Sequence, residues 1–243
     1  KASLIVEIIF FTLFSLLAVS IGACIYDLLY KTMPMPPVIQ LLLYYALGLG
    51  LVSSALFVFG ILGILYGWTI FALLFLLSII AIPKFCRRII PLLADSVKGL
   101  RPTQLSFIGY FLLTIIGVYI LLNLVRALSP PTSFDDLVYH LADPKKFLEH
   151  HRLLSTQICG IDLRLGKIAP FNFELLYMIP LVFKNDIFAN VLQYGTSVFA
   201  GAALCALSTR FFSKLVGLFA AAIFLIQPFM FTHIATAKTD TAI

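Results

Sequence analysis

Charged residues are scarce in this sequence. Only 12% of its 243 residues are Asp, Glu, Lys or Arg, about half the share of an ordinary soluble domain. Hydrophobic residues make up 61% and the mean hydropathy is +1.06, so one soluble core would leave much apolar surface in water. These values exclude a soluble enzyme, a nucleic-acid-binding domain and a disordered chain. They predict an all-α polytopic membrane protein.

Cysteine is also scarce, and several catalytic motifs are missing. Cys24 and Cys205 lie in apolar runs, and Cys86 and Cys159 are predicted on opposite sides of the membrane, so we expect four free thiols. No two cysteines have metal-ligand spacing. The sequence contains no glycine-rich phosphate loop, no Gly-x-Ser-x-Gly and no His-Glu-x-x-His.

Six apolar stretches can cross the hydrocarbon core, which requires about 20 residues. The second and third adjoin without a charge between them, and we divide them at Gly60, Gly63 and Gly67. Small residues such as Gly48 and Gly50 predict close helix packing. The predicted spans form a single transmembrane domain and comprise residues 4–25, 38–59, 64–82, 105–125, 187–207 and 215–232.

The basic residues indicate the orientation. Segment 83–104 carries five Lys and Arg against Asp95 alone, and the turn after the fifth span carries Arg210 and Lys214 without an acid. Both therefore belong on the cytoplasmic side of a cell inner membrane. Alternation puts the long loop 128–186 and residues 233–240 on the extracytoplasmic side, together with all 4 histidines and most of the acids. Since the basic residues lie at the ends of apolar runs, the net charge of +6 does not predict a nucleic-acid partner.

Neither end has the form of a natural terminus. The first residue is Lys1 rather than Met, and the last residue, Ile243, falls where another apolar stretch begins. We therefore expect a fragment of a longer protein, with membrane lipids and further membrane subunits among its partners.

The long loop carries most of the candidate functional residues. From Phe134 to His151, apolar residues recur at helical spacing with charges between them. This pattern predicts an amphipathic helix lying in the membrane interface, which Pro144 breaks or kinks. A second amphipathic piece, residues 171–183, contains Glu174, and an acid in an apolar stretch predicts a partner or a site.

Three short runs resemble motifs of the GT-C superfamily of bacterial multi-spanning glycosyltransferases. They are Phe-Asp-Asp-Leu-Val-Tyr-His-Leu at 134–141, Pro-Phe-Asn-Phe-Glu-Leu-Leu-Tyr at 170–177 and Thr-Ala-Lys-Thr-Asp at 236–240. The nearest kin are of the family 39 type, related to lipid A aminoarabinose transferases and protein O-mannosyltransferases. The resemblance covers residues 106–243 and implies a GT-C-like bundle, although the family usually has its key acid after its first helix and three apolar spans precede Ser106 here.

The resemblance implies transfer of a sugar from a polyprenyl-phosphate donor to an acceptor on the extracytoplasmic face. Asp135 matches the acid of the family's first outer loop and Asp240 that of the next, so both are predicted to be catalytic. Asp135 would act as the general base of an inverting displacement. The predicted substrate-binding residues are Asp136, Tyr139, His140, Lys145, Glu174 and Lys238.

The departing phosphate needs positive charge, and two arrangements could supply it. Lysines on the correct side include Lys145 and Lys238, of which Lys238 is favoured by its place beside Asp240. The rival is a divalent cation such as Mg²⁺ or Mn²⁺ between Asp135 or Asp136 and Asp240, with His140 as a further ligand.

Simpler roles compete with each of these. Asp135 or Asp136 could cap the interfacial helix, Lys145 could extend to lipid headgroups, and Lys238 could pair only with Asp240. The alternative function is a non-catalytic membrane subunit, or a transporter fragment, whose outer loop binds a partner. A transporter more often carries a charge in mid-membrane, and no predicted span has one in its central turns.

Overall fold

The computed structural model describes residues 4–29, 35–99, 105–154, 156–158, 161–163 and 172–238, with backbone alone at 97–99, 156–158 and 161–163. The elements, in chain order, are α1 (Leu4–Leu29), α2 (Pro37–Leu62), α3 (Gly67–Lys84), a π-helical turn (Phe85–Ile89), α4 (Ile90–Gly99), α5 (Phe107–Ala127), a second π-helical turn (Asp136–His140), α6 (Ala142–His150), β1 (Thr156–Ile158), β2 (Ile161–Leu163), α7 (Asn172–Leu175), α8 (Met178–Leu181), α9 (Ile187–Phe211), α10 (Lys214–Ile226) and α11 (Pro228–His233). Strands β1 and β2 form an antiparallel hairpin.

Five of the described helices are long and apolar enough to cross a membrane. They are α1, α2, α3 with its continuation to Ser96, α5 and α9. The prediction of an all-α, multi-pass membrane protein is confirmed at this level. The predicted division at the glycines is also confirmed, because α2 ends at Leu62 and Gly63 follows with φ 71°, a left-handed conformation that glycine adopts without strain.

The sixth predicted span, residues 215–232, is wrong as a continuous helix. Helix α10 has only 13 residues, about 20 Å at 1.5 Å per residue, which is short of the roughly 30 Å core. Gln227 is extended (φ −56°, ψ 146°) because the ring of Pro228 disfavours a helical conformation before it. The predicted loop 83–104 is also corrected, since the described part of it is helical as far as Gly99.

Helices α1 and α2 form the closest packing in the bundle. A Cβ atom added to Gly22 of α1 would collide with the backbone of Tyr44, and one added to Gly48 of α2 would collide with the backbone of Ala18. The two glycines therefore let the backbones touch. Gly50, predicted to serve the same purpose, faces open space.

The bundle has a basic end and an acidic end. At the basic end, Asp27 near the end of α1 forms ion pairs with Lys84 and Arg88. The acidic end is where α1, α3 and α9 begin and where α2 and α5 end. The described parts of segment 128–186 lie at this end too. The cysteines described, Cys24, Cys86 and Cys205, are free thiols as predicted, and Cys159 lies outside the described residues.

The two predicted amphipathic pieces pack their apolar side chains onto the bundle. Phe147 of α6 and Tyr177 between α7 and α8 are buried in the same hydrophobic cluster as core residues of α1 and α2. The helical run is interrupted at Leu141, and Pro144 lies in the first turn of α6, where the lack of an N–H group is tolerated. Backbone hydrogen bonds from Leu153 N–H to the Gly60 carbonyl (3.1 Å) and from Leu65 N–H to the His151 carbonyl (3.0 Å) hold α6 against the α2–α3 turn.

The contact between α1 and α2 gives a stability prediction. Gly48→Val should lower the free energy of unfolding by about 1–3 kcal/mol, the usual cost of overpacking, because the added carbons meet backbone that cannot rotate away. Gly50→Val is the matched control on the same helix and should leave the melting temperature in detergent nearly unchanged. Equal losses of thermal stability in the two variants would contradict the packing described above.

Candidate functional site

An ion pair joins the two segments predicted to meet at the acidic end. Lys238 Nζ lies 2.6 Å from Asp135 Oδ2, and the two side chains are 15% and 38% exposed. The hydrogen bond from Lys238 holds the pKa of Asp135 below its usual value, aided by the charges of Lys238, His140 and His233. Lys238 thus contacts Asp135, and Asp240, the other predicted catalytic residue, lies outside the described residues.

Asp136, next in the chain, has the opposite environment. It is fully buried, and neither of its carboxylate oxygens has a well-formed hydrogen bond among the described residues. Burial raises the pKa of Asp136 to about 6, although the backbone N–H of Ala237 and the charges of His140 and Lys238 oppose the rise. Since Asp135 makes no capping hydrogen bond, helix capping explains neither aspartate.

His140 and Glu174 form a buried pair across the long segment. His140 Nδ1 lies 2.6 Å from Glu174 Oε1, and the side chains are 4% and 1% exposed. The predicted partner for the acid in this apolar stretch is therefore His140. The pair joins the π-helical turn to α7 and fixes the ring of His140, whose Nε2 is buried without a hydrogen-bond partner among the described residues. Sequence reasoning proposed both residues without foreseeing that they meet.

Of the other predicted binding residues, Tyr139 lies beside this buried pair and Lys145 does not. The Tyr139 ring lies 4.1 Å from the His140 ring, centroid to centroid. Lys145 is exposed on α6, away from the buried group, and its predicted role at the donor phosphate has no described contact behind it. Asp143, which we did not predict, is buried beside Lys146 at 3.1 Å, and burial still raises its pKa above the usual value.

Another buried acid, Glu7, was not predicted from the sequence as a functional residue. Glu7, in the first turn of α1, is only 1% exposed. The side-chain amide of Asn185 donates to both of its carboxylate oxygens at 2.9 Å. In the sequence, Glu7 looks like a helix-end anchor, and no local spacing links it to residue 185. A charge placed within a membrane helix was the one available signal.

The side chains described here do not by themselves form a metal site. Within the described ranges, no three His, Cys, Asp or Glu side chains cluster as metal ligands would. Of the predicted ligands, Asp135 is engaged by Lys238 and His140 by Glu174. The proposed Mg²⁺ or Mn²⁺ arrangement also needs Asp240, so these residues alone do not support it.

Two cavities lie near these residues. One, of about 630 Å³, runs between α2 and α9 and has Asn172 and Phe173 of α7 in its wall, next to Glu174. The other, of about 710 Å³, lies at the acidic end and includes Glu7, Leu137 and Asn185. The first is mostly apolar, and the second carries several charged groups.

Comparison with known proteins gave no matching family model, no matching curated protein and no matching solved structure.

The two neighbouring aspartates should have opposite effects on stability as pH changes. Burial penalises charged Asp136 only in the folded state, so the penalty is absent below about pH 4 and complete above about pH 6. Asp136→Asn should therefore gain roughly 3 kcal/mol relative to wild type between pH 4 and pH 7, at about 1.4 kcal/mol per pKa unit.

Asp135→Asn should show the reverse trend. The ion pair with Lys238 stabilises the fold above the unfolded-state pKa of Asp135, and this contribution is lost as pH falls through the lowered pKa. The variant should thus be less stable than wild type at pH 7 and approach it in acid. Thermal unfolding of both variants and wild type from pH 3.5 to pH 7.5 provides the measurement, and difference curves that run parallel would refute the assignment.

Proposed function

We propose that the chain belongs to a glycosyltransferase of the GT-C type that moves a sugar from a polyprenyl-phosphate donor to an acceptor hydroxyl. The observation that carries this proposal is the ion pair between Asp135 and Lys238. It brings a carboxylate base and a cation suited to phosphate to one point, from two segments far apart in the sequence. These are the groups that the reaction requires.

The position of the pair supports the proposal. A lipid-linked sugar has its C1 phosphate at the height of the headgroups, and Asp135 follows the end of α5 while Lys238 follows the end of α11. Basic residues such as Arg87 and Arg88 lie towards the opposite end of the bundle. By the positive-inside rule, the acidic end would then face the extracytoplasmic side of a cell inner membrane.

The proposed reaction is a single displacement at C1 of the sugar. The acceptor oxygen forms a bond to C1 while the bond from C1 to the phosphate oxygen breaks, and its electrons leave with polyprenyl phosphate. Asp135 takes the proton of the acceptor hydroxyl, and Lys238 stabilises the charge on the departing phosphate. Attack and departure use opposite faces of the ring, so the configuration at C1 inverts.

The ion pair itself would act as a gate on this chemistry. Contact with Lys238 lowers the pKa of Asp135 and so weakens it as a base. A donor phosphate competes for the ammonium group with its own charged oxygens. Once Lys238 turns to the donor, Asp135 regains basicity at the moment the substrate is in place.

The cavity between α2 and α9 suits the lipid part of the donor. Its wall contains Leu49, Phe199 and Ala203, and its volume is about 630 Å³. Since Asn172 and Phe173 also line it, the cavity approaches Glu174, which pairs with His140 five residues after Asp135. A polyprenyl chain in this cavity would leave its phosphate near the acidic end.

The remaining residues have supporting roles in this proposal. In this proposal Asp136, Tyr139, His140 and Glu174 would shape the sugar site around Asp135. A divalent cation held with Asp240 stays the rival means of neutralising the phosphate. Further membrane subunits and membrane lipids complete the expected surroundings.

Replacement of the base gives the test. Asp135→Asn keeps the size of the side chain and removes its basicity, so turnover should fall about 10²–10⁴-fold. The measurement is release of polyprenyl phosphate from a panel of polyprenyl-phosphate hexoses and pentoses, in membranes that contain the protein. Glu149→Gln, an acid-to-amide change at an exposed site on α6, is the control and should keep full activity. Undiminished turnover in Asp135→Asn would eliminate Asp135 as the base.

A further inference from the structure

Three charged residues at the acidic end, Glu7, Lys184 and Asp186, form no ion pair within the described ranges. The Glu7 carboxylate is removed from water, and the contacts described for it are the two hydrogen bonds from the neutral amide of Asn185. Lys184 is exposed and has no described anionic partner, and the same holds for Asp186 and a cation. A charge taken out of water is costly without a counter-charge, so Glu7 calls for a cation.

Glu7 and Lys184 line the same cavity. Its volume of about 710 Å³ lies within the range of about 300–1,000 Å³ that is usual for small-molecule sites. The polar part of the wall consists of Glu7, Lys184, Asn185 and Asp186. The rest is apolar and includes Val6, Phe10 and Phe183.

The charged wall is fixed by the backbone. Lys184 has φ 56°, a left-handed conformation that residues with a side chain rarely adopt. Its N–H donates to the Leu181 carbonyl at 2.9 Å. Asn185 is held as well, since its side-chain oxygen accepts from the N–H groups of Ile187 (3.1 Å) and Phe188 (3.3 Å) at the start of α9. The positive and negative groups are therefore presented in a set arrangement.

We propose that this cavity binds the headgroup of phosphatidylethanolamine, with the ammonium group at Glu7 and the phosphate at Lys184. The lipid carries the complementary pair of charges, and the second acid, Asp186, favours the ammonium group further. A primary ammonium group donates three hydrogen bonds to carboxylates, as the lysine ammonium does. The quaternary ammonium of phosphatidylcholine donates none, so the site discriminates between the two lipids.

The apolar wall suits the remainder of the lipid. Val6, on α1, is 50% exposed and lies in a helix that faces hydrocarbon, so the cavity adjoins the lipid phase. The glycerol backbone and the first carbons of the acyl chains would rest on Phe10 and Phe183. This site is separate from the ion pair between Asp135 and Lys238 and does not depend on the proposed transfer reaction.

Lipid binding by the purified protein tests the proposal. The delipidated protein in detergent is titrated with phosphatidylethanolamine, phosphatidylcholine or phosphatidylglycerol, and the bound fraction is read by native mass spectrometry. Glu7→Gln keeps an oxygen that accepts from Asn185, so the fold is retained while the charge is lost. Asp95→Asn makes the same change at an exposed site on α4 and serves as the control.

Wild type should bind phosphatidylethanolamine at least about tenfold more tightly than phosphatidylcholine, the effect expected for lost hydrogen bonds to a charged group. Glu7→Gln should lose this preference, and Asp95→Asn should keep it. Lys184→Gln should weaken phosphatidylethanolamine binding, with phosphatidylglycerol weak in every variant. Equal affinity of wild type for the two zwitterionic lipids, or an unchanged preference in Glu7→Gln, would overturn the proposal.

Discussion

The acidic end depends on one constraint: an ionisable side chain that leaves water raises the free energy of the fold unless it gains a partner. Among the described residues of segment 128–186, three acids and one histidine are buried, and two of them, His140 and Glu174, meet each other across the segment. That contact closes the π-helical turn onto α7, and α7 in turn packs against α2. The segment thereby packs onto the bundle, where Phe147 and Tyr177 join the hydrophobic cluster of α1 and α2.

Hydropathy was sufficient to predict most of the membrane helices but not where each helix ends. Four of the predicted spans agree with the structure to within about four residues at each end, because length and apolar composition directly reflect the thickness of the hydrocarbon core. The third continues to Ser96, well beyond its predicted end at residue 82. The prediction of the sixth span was wrong because the average hydropathy of a segment does not show where one residue leaves the helical conformation. Here Gln227 does so, since it precedes Pro228. The prediction of a loop at 83–104 was also wrong, because the described part of this segment is helical. Its charges suggested irregular structure, yet Arg and Lys are good helix formers and the helix continues through a π-helical turn.

The candidate site could be predicted residue by residue but not as a geometry. Asp135, Asp136, His140, Glu174 and Lys238 were all named from the sequence. Glu174 was named because a charge in an apolar stretch is costly, and the others because they lie in or beside the runs that resemble the GT-C motifs. The pairing of Asp135 with Lys238 and of His140 with Glu174 could not be derived, since partners far apart in the sequence have no characteristic spacing. The sequence favoured Lys238 with Asp240, and the structure places it on Asp135. Burial was equally invisible, and it separates two adjacent aspartates into one with a lowered pKa and one with a raised pKa.

That separation bears on which aspartate could remove a proton. A base works best when its pKa lies near the working pH, which on this criterion favours Asp136, at about 6, over Asp135. Access favours Asp135, because its side chain is 38% exposed while Asp136 is fully buried. A proton is transferred only to an atom that the acceptor hydroxyl can touch, so access decides first. The low basicity of Asp135 comes mainly from Lys238, which a bound phosphate would remove, whereas the burial of Asp136 is built into the fold. With a pKa of about 6, the buried Asp136 is mostly ionised at neutral pH, so the fold keeps a second negative charge next to the ion pair of Asp135 and Lys238.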